Sequence, residues 1–268
     1  MNRDFRDRTA ILLGNVGMEA LEAASVAVYG LGGVGAACAM DLARAGVGKL
    51  YVVDFDRVEE SNLNRLYFGY RENIGLAKTE AFARSARAVN PFIKIEERRV
   101  FFSGDDAAKI IDPESAYHAD CVDSLNAKAH LIAALCAGGR NFISSMGTAG
   151  RLQPERLKLG TIWESRGCPL AKSLRSRLKH LGVLADFPVV WSDEPPVKPI
   201  QREIVAGAFD DHGTDDGITD EAGETGTATA RGRPRLVQGS SPFVPQSAGH
   251  IMASWIVRQI ISEAAVGR

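Results

Sequence analysis

A glycine-rich hexapeptide, Gly30-Leu31-Gly32-Gly33-Val34-Gly35, directly follows a short β-rich run of residues 25–29 and opens a predicted helix. Glycines permit a tight turn and let a phosphate approach the backbone. The N-terminus of the following helix supplies unpaired N–H groups and the positive end of its dipole. This context predicts a phosphate-binding loop with four cofactor-binding glycines, Gly30, Gly32, Gly33 and Gly35.

Asp54 ends the second predicted strand, where a carboxylate can accept hydrogen bonds from ribose hydroxyls. That feature alone suits ATP and NAD equally. The polar residues that follow it are Asp56, Asn62, Arg65 and Lys78. NAD carries only a pyrophosphate, whereas ATP carries a triphosphate whose charge grows on the leaving pyrophosphate during attack at the α-phosphorus. Because Arg65 and Lys78 would neutralise that charge, they favour ATP.

Asp123 follows the fourth predicted strand, within Cys121-Val122-Asp123-Ser124. Its carboxylate could hold Mg²⁺, which prefers hard oxygen ligands beside phosphates. Each charged residue taken alone is typical of solvated surface. Their order on successive strand ends indicates a site instead, because ligands bind at the carboxyl edge of a parallel sheet. We therefore expect catalytic roles for Arg65, Lys78 and Asp123, with Mg²⁺ on Asp123.

Strand-like and helical runs alternate along the chain, which predicts an α/β fold: a Rossmann-like, mainly parallel sheet with helices on both faces. The predicted strands are 25–29, 49–53, 92–95, 119–122, 142–145, 157–162 and 188–191, and the predicted helices are 10–24, 34–45, 76–89, 107–111, 126–137, 170–181 and 247–265. We expect an ATP-binding domain at 1–150. A smaller substrate-binding region at 151–268 would continue the same globule, with a disordered acidic loop at 207–233.

The composition excludes several classes of protein. Of 268 residues 45% are apolar, and no run of eighteen or more apolar residues suggests a membrane helix. The N-terminus has no apolar signal core, so we expect no export. The four cysteines, Cys38, Cys121, Cys136 and Cys168, form no CxxC pair. A reduced, cytoplasmic protein without membrane association or a cysteine-based zinc site is therefore expected.

The net charge of −1 conceals an uneven distribution. Residues 207–230 contain seven acidic and no basic residues, which leaves 32 basic residues against 26 acidic ones elsewhere. The basic charges of this remainder either form ordinary solvated surface or attract a polyanion. Lys172, Arg175 and Lys179 fall at i, i+3 and i+7 of a predicted helix, which suits either a solvated amphipathic helix or a face that attracts a polyanionic backbone. The resemblance described below implies that this polyanion is tRNA.

The ordered motifs GLGGVG, DFD, SNLNR, GLAK and CVDS resemble those of the E1-like adenylating enzymes over roughly residues 7–150. This superfamily includes ubiquitin-type activating enzymes and bacterial activators of sulfur-carrier proteins. The resemblance implies that the Gly30 loop and Asp54 hold ATP, that Asn62, Arg65 and Lys78 contact ribose and phosphates, and that Asp123 binds the metal. Arg8 resembles the N-terminal arginine that reaches a partner subunit's ATP site, which implies a homodimer.

The second half narrows the resemblance. Activators of sulfur carriers usually have two CxxC pairs that hold zinc, and this chain has none. Three motifs resemble the tRNA threonylcarbamoyladenosine dehydratase branch instead: Cys168-Pro169-Leu170-Ala171-Lys172, Val189-Val190-Trp191-Ser192-Asp193-Glu194-Pro195-Pro196 and Gly239-Ser240-Ser241-Pro242-Phe243-Val244-Pro245. Cys168 stands where many members of that branch have Asp, so we base no chemistry on it.

The branch implies a carboxylate on a modified adenosine in tRNA as the substrate. Adenylation by ATP would convert this poor electrophile into an acyl-adenylate with AMP as leaving group. The neighbouring carbamoyl group would then close a ring with net loss of water. Because this second step is intramolecular, it needs no protein nucleophile. The absence of an obvious Cys–His or Ser–His pair in the sequence agrees with that chemistry.

Three alternatives remain open from the sequence. The chain could adenylate the C-terminus of a ubiquitin-like sulfur-carrier protein, it could be an NAD-dependent oxidoreductase, or it could be a non-catalytic scaffold that binds nucleotide or tRNA. The missing CxxC pairs count against the first, and Arg65 and Lys78 count against the second. A cysteine desulfurase or sulfur-acceptor system is a further partner that the resemblance leaves open.

Overall fold

Seven strands from both halves of the sequence form one sheet. The structure is a computed structural model that describes residues 4–198, 200 and 238–266, so the predicted acidic loop lies outside the described residues. The strands are β1 (Ser25–Tyr29), β2 (Lys49–Val53), β3 (Lys94–Arg98), β4 (Tyr117–Asp120), β5 (Asn141–Ser145), β6 (Leu157–Thr161) and β7 (Pro188–Ser192). Their order in the sheet is β3-β2-β1-β4-β5-β7-β6. Only β6 runs antiparallel to its neighbour, which confirms the predicted mainly parallel sheet.

Helices cover both faces of this sheet. They are α1 (Asp7–Ala23), α2 (Gly33–Ala45), α3 (Lys78–Val89), α4 (Leu125–Ala137), α5 (Pro169–His180) and α6 (Phe243–Val266). Side chains alternate between the faces of a strand. In β1, Val26 and Val28 pack in the core that contains α2, α3 and α6, whereas Ala27 and Tyr29 pack with α4 and α5. The predicted Rossmann-like α/β architecture is thus confirmed.

The first residues of two strands differ by two positions from those predicted. β3 begins two residues after Phe92, whose side chain is 84% exposed, and β4 begins two residues before Ala119. Both strands were predicted from apolar runs alone. β3 is an edge strand with charged residues, and β4 includes the buried polar residue His118, so the sheet pairing rather than local hydropathy decides where these strands begin.

The C-terminal helix α6 lies against the first Rossmann helix. A side chain at Gly249 would place its Cβ 2.3 Å from the backbone oxygen of Val34, so the close approach of α6 to α2 requires glycine here. The final helix therefore packs against the half of the fold that contains the predicted phosphate-binding loop. None of the helices in the described part of the chain is long and apolar enough to cross a membrane.

His118, on β4, is a fully buried titratable group that lies opposite Ala27 of β1 in the sheet. Its Nδ1 lies 3.0 Å from the hydroxyl of Tyr29. Burial lowers the pKa of His118 from 6.5 to about 4; the Arg140 cation contributes in the same direction, and Asp112 opposes it. The folded state therefore holds this ring neutral at a pH where an unfolded chain would protonate it.

This buried ring predicts a loss of stability in acid. Below about pH 6.5 the unfolded chain binds a proton that the folded chain does not, so the free energy of unfolding should fall between pH 6.5 and 4, by on the order of 3 kcal/mol. His118→Gln should flatten that part of the curve in urea titrations. His180→Gln, at an exposed position, should leave it as steep as in the wild type, and an equally steep curve for His118→Gln would contradict the assignment.

Candidate active site

The predicted phosphate-binding loop lies at the carboxyl end of β1. Gly30 has a φ of 86°, in the left-handed region that favours glycine. A Cβ at Gly35 would lie 1.8 Å from the backbone oxygen of Gly30, so the turn has no space for a side chain at this position. A Cβ at Gly32 would meet open space, whereas Gly33 faces Pro245 and Arg65. The loop is thus tight on its inner side and open at Gly32, where an anionic group can approach the start of α2.

Asp54 follows β2 and holds this loop in place. One carboxylate oxygen accepts a hydrogen bond from the Leu31 N–H at 2.6 Å, and the other accepts from the Asp56 N–H at 2.8 Å. Burial raises the pKa of Asp54, while the Lys78 cation and the Leu31 N–H act in the opposite direction. The residue predicted to meet ribose is therefore also a structural support for the phosphate loop.

Lys78 is the first residue of α3 and is almost completely buried. Its Nζ lies 2.6 Å from Oδ2 of Asp56 and 4.0 Å from Oδ1 of Asp54. The predicted cofactor-binding residues Asp54, Asp56 and Lys78 therefore meet as one charged group at the ends of β2 and α3. A bound triphosphate could share the Lys78 ammonium with these carboxylates.

Arg65 and Asp123 come from loops far apart in sequence and meet beside the phosphate loop. Burial lowers the pKa of Arg65, and the negative charge of Asp123 opposes that effect. Arg65 Nη1 donates to the Ser61 carbonyl and to Asn64 Oδ1, both at 3.0 Å. Asp123 itself is exposed. The structure thus brings the predicted clamp residue and the predicted metal ligand to the same edge of the sheet.

Asn62 lies on the same loop, and its side chain forms hydrogen bonds within that loop. Its Oδ1 accepts from the Glu59 N–H at 3.3 Å, which completes a reciprocal cap of the short turn Glu60–Asn62. Its Nδ2 donates to the Ser61 hydroxyl at 3.2 Å. In this structure Asn62 shapes the turn that presents Arg65, and a direct contact of Asn62 with nucleotide remains a prediction.

Comparison with known proteins identifies the fold and its relatives. The sequence profile of the ThiF family matches residues 6–165, more than half of the chain.

The chain belongs to the ThiF family.

Among its relatives, the tRNA threonylcarbamoyladenosine dehydratase of Bacillus subtilis is 29% identical over 262 residues, 97% of this chain and 96% of that protein. The dehydratase of that name from Escherichia coli is 34% identical over 182 residues, which cover 68% of this chain and 66% of that protein. Crystal structures of the E. coli dehydratase TcdA with AMP and with ATP match with a TM-score of 0.79 at 27% identity, covering 96% of this chain and 94% of that one.

A buried ion pair in this ThiF-family chain lies beneath the site and escaped the sequence analysis. Lys128 on α4 and Asp120 at the end of β4 are both 0% exposed, and their charged atoms are 2.6 Å apart. The Ser144 hydroxyl donates to the same Asp120 oxygen at 2.6 Å, and the other oxygen accepts from the Val122 N–H at 3.1 Å. This network fixes the loop that ends at Asp123. A lysine in the first turn of a mostly apolar helix was the available signal.

Arg175, one of the three predicted tRNA contacts on α5, is held by the turn before the helix. Its Nη1 donates to the Ser165 hydroxyl and to the Ser165 and Ile162 carbonyls. The residue is half-buried, between the core residues Leu174 and Leu178 in sequence. Part of its guanidinium is therefore committed to the protein, and its contact with tRNA stays a prediction.

The other two predicted cations of α5 are exposed. Lys172 and Lys179 project to solvent, and Lys179 Nζ lies 5.5 Å above the ring of Trp163, an aromatic residue that the sequence analysis overlooked. Arg177 is also exposed and donates to Asn126 Oδ1 at 3.0 Å. Trp191 is 7% exposed, so it packs in the core and is not available for stacking on a base.

Arg8 lies on the first turn of α1 and is exposed. Ile11 and Leu12, on the next turn, are 76% and 83% exposed. These three side chains therefore form an exposed surface on α1 that is partly basic and partly apolar.

The candidate site contains oxygen ligands rather than a clustered metal centre. Among the described residues no group of three or more His, Cys, Asp or Glu side chains is close enough to hold a metal ion. The four cysteines are free thiols, as the absence of CxxC pairs predicts. A hard cation at Asp123 would thus need ligands from the nucleotide as well.

Proposed function

We propose that this chain is an ATP-dependent tRNA threonylcarbamoyladenosine dehydratase. It adenylates the threonyl carboxylate of the modified adenosine, releases pyrophosphate, and promotes ring closure with release of AMP. One observation carries the proposal: two cations flank the glycine loop of a chain that aligns with 96% of the B. subtilis dehydratase. Arg65 lies beside Gly33, where the charge of Asp123 acts on it, and Lys78 lies beside the Asp54 carboxylate that binds Leu31. Crystal structures of the related E. coli enzyme with ATP and AMP support the nucleotide assignment.

The site residues suit the first step. Open space at Gly32 admits phosphates to the N-terminus of α2, and Arg65 and Lys78 supply cations for the pyrophosphate as it leaves. Lys78 would exchange part of its interaction with Asp56 for a phosphate oxygen, and the buried Asp54 keeps the loop in place meanwhile. Charge on the leaving group is thus met by fixed donors, which lowers the barrier without reorganisation.

Asp123 is proposed to bind Mg²⁺. Its exposed carboxylate supplies the hard oxygen ligand that this ion prefers, next to the place where the phosphates would lie. When bound, Mg²⁺ would neutralise phosphate charge and orient the α-phosphorus for attack. The protein's own contribution is to hold Asp123 in place through the buried Asp120–Lys128 pair below it.

The direct test is a mass analysis of nucleosides. The protein is incubated with ATP, Mg²⁺ and tRNA that carries the modification, and the tRNA is then digested. Loss of one water from the modified nucleoside, with one AMP per event, supports the proposal. AMP formation that requires a ubiquitin-like carrier protein instead would favour the sulfur-carrier alternative, and ATP binding without AMP release would favour a scaffold.

A tRNA contact on α5 is proposed for Lys172 and Lys179. These cations are seven residues apart on one exposed face, close to Arg177 and to the ring of Trp163. Replacing both lysines by Gln should weaken tRNA binding and reduce the slope of log K against log salt by roughly one to two. Arg175→Gln is the matched control, since its guanidinium is committed to the turn at Ser165. An unchanged salt slope in the lysine variant would identify this face as ordinary solvated surface.

A homodimer is proposed from the surface of α1. Ile11 and Leu12 are large, exposed and adjacent to Arg8, so a second copy could bury them while Arg8 reaches its nucleotide. Sedimentation equilibrium of the full chain measures this directly, and a monomer at micromolar concentration would contradict it. We also propose a cytoplasmic location, where tRNA is modified, and a cysteine desulfurase or sulfur-acceptor system as a further partner to be tested by affinity capture.

A further inference from the structure

Asn64 directly precedes Arg65, and both ends of its side-chain amide are used. Its Oδ1 accepts a hydrogen bond from Arg65 Nη1 at 3.0 Å. Its Nδ2 donates to the backbone oxygen of Ser240 at 2.8 Å, across 176 residues of sequence. The amide of Asn64 therefore joins the guanidinium of Arg65 to the C-terminal part of the chain.

The guanidinium of Arg65 is held through one nitrogen only. Both of its hydrogen bonds, to Asn64 Oδ1 and to the Ser61 carbonyl, use Nη1. Within the described ranges, Nε and Nη2 have no hydrogen-bond partner, and these donors stay available for an anion. An arginine has a long side chain with much rotamer entropy, so an anchor at Nη1 reduces the entropy lost when the other donors bind phosphate.

The other end of this link is itself fixed. Residues 238–241 are tied to the loop after β5, because the Gly150 N–H donates to the Gly239 carbonyl at 2.7 Å and the Ser241 hydroxyl donates to the Arg151 carbonyl at 2.8 Å. Arg151 is 2% exposed, so this loop is part of the packed interior. Ser240 therefore gives Asn64 a rigid attachment point at the carboxyl edge of the sheet.

The C-terminal segment contacts the same loop at a second point. The Gln246 side chain on α6 donates to the backbone carbonyl of Arg65 at 3.2 Å. Pro245 lies beside Gly33, so α6 also borders the phosphate loop. The backbone of Arg65 is thus held directly by Gln246, and its side chain is held by Ser240 through Asn64.

We propose that Asn64 is a positioning residue that orients the Arg65 guanidinium toward the triphosphate by anchoring it to residues 238–241. The inference rests on the proposed function only through the assignment of ATP to Arg65. It makes the C-terminal segment, which lies outside the matched ThiF profile, part of the nucleotide site. The positioning of Arg65 does not depend on which tRNA is the substrate.

The test is ATP affinity of the full-length protein, measured by calorimetry with Mg²⁺ and without tRNA. Asn64→Ala should weaken ATP binding roughly three- to tenfold, the range expected for one lost hydrogen bond to a charged network. Asn64→Asp retains an acceptor for Arg65 but presents an oxygen to the Ser240 carbonyl, so it should also weaken binding. Asn141→Ala, at an exposed position at the opposite end of β5, is the matched control. Asn64→Ser replaces the alanine variant should that fail to fold.

A double-mutant cycle separates positioning from general destabilisation. In an Arg65→Ala background, Asn64→Ala should cause no further loss of ATP affinity, because Asn64 acts through the missing guanidinium. The same fold-loss in both backgrounds, or wild-type affinity in Asn64→Asp, would overturn the proposal. If the wild type fails to bind ATP at all, the proposed function fails as well, whereas additive losses in a protein that binds ATP refute this inference alone.

Discussion

Arg65→Ala should lower kcat/KM for AMP formation by about 10²–10³-fold while the melting temperature stays within about 2 °C of the wild type. Arg65 Nη1 is bound to its own loop, and we propose that Nε and Nη2 stabilise the leaving pyrophosphate, so the substitution should remove these donors. The assay measures AMP released from ATP in the presence of modified tRNA. Folding should be little affected, because the guanidinium bonds only to residues of its own loop.

The matched control is Arg71→Ala. Arg71 belongs to the same connection between β2 and α3, but its side chain is 81% exposed and pairs only with the exposed Glu60. It should retain wild-type AMP formation, since an exposed ion pair contributes little. Equal activity of Arg65→Ala and Arg71→Ala would remove the charge argument for the site.

Lys78→Ala should lower kcat/KM for AMP formation by a similar factor, and it should also destabilise the fold. Lys78 is the cation next to the buried Asp54, and removing it leaves that carboxylate with its two backbone N–H donors but without a nearby cation. The variant should therefore lose stability as well as activity, in contrast to Arg65→Ala. Thermal unfolding beside the AMP assay distinguishes the two residues.

The second large effect concerns Lys128 and stability. Lys128→Met should reduce the free energy of unfolding by about 3–5 kcal/mol, because it leaves the fully buried Asp120 carboxylate without its cation. For a chain of this size that corresponds to a melting temperature lower by roughly 8–15 °C. Denaturant titration with circular dichroism measures the change.

Two comparisons make that test specific. Lys49→Met removes a partly exposed ion pair with Glu114 and should cost less than about 1 kcal/mol. Adding Asp120→Asn to Lys128→Met should restore part of the stability, since the uncompensated charge is then gone. A Lys128→Met protein as stable as Lys49→Met would show that the buried pair does not support the fold.

The strand–turn–helix at residues 25–45 was predictable because local interactions decide it. A β-rich run, glycines that permit a tight turn and an apolar helix specify a Rossmann unit within about twenty residues. The positions of Asp54, Lys78 and Asp123 at the carboxyl edge follow from the same alternation. The weakest predictions were β3 and β4, whose ends depend on which partner each strand pairs with.

Arg175 illustrates what helical spacing alone does not specify. Positions i, i+3 and i+7 lie on roughly one side of a helix, and that rule places Arg175 with Lys172 and Lys179. The core-facing Leu174 and Leu178 rotate α5 so that Arg175 lies at the boundary of the buried face, where carbonyl groups of the preceding turn bind its guanidinium. The packing of α5 on α4, which involves distant residues, decides the outcome.

The amino-acid sequence by itself determined the Rossmann-like fold and predicted the chemistry of this protein. That prediction rests on a glycine loop, two cations and a carboxylate ordered on strand ends, and on motifs that resemble the tRNA threonylcarbamoyladenosine dehydratases. The tertiary structure decided which side chains are anchored and to what. Asn64 with Ser240, Gln246 with Arg65, and Lys128 with Asp120 join positions that no local pattern relates. Hydrogen bonds and buried charges act over a few ångströms in space, and only the folded chain brings their partners within that distance.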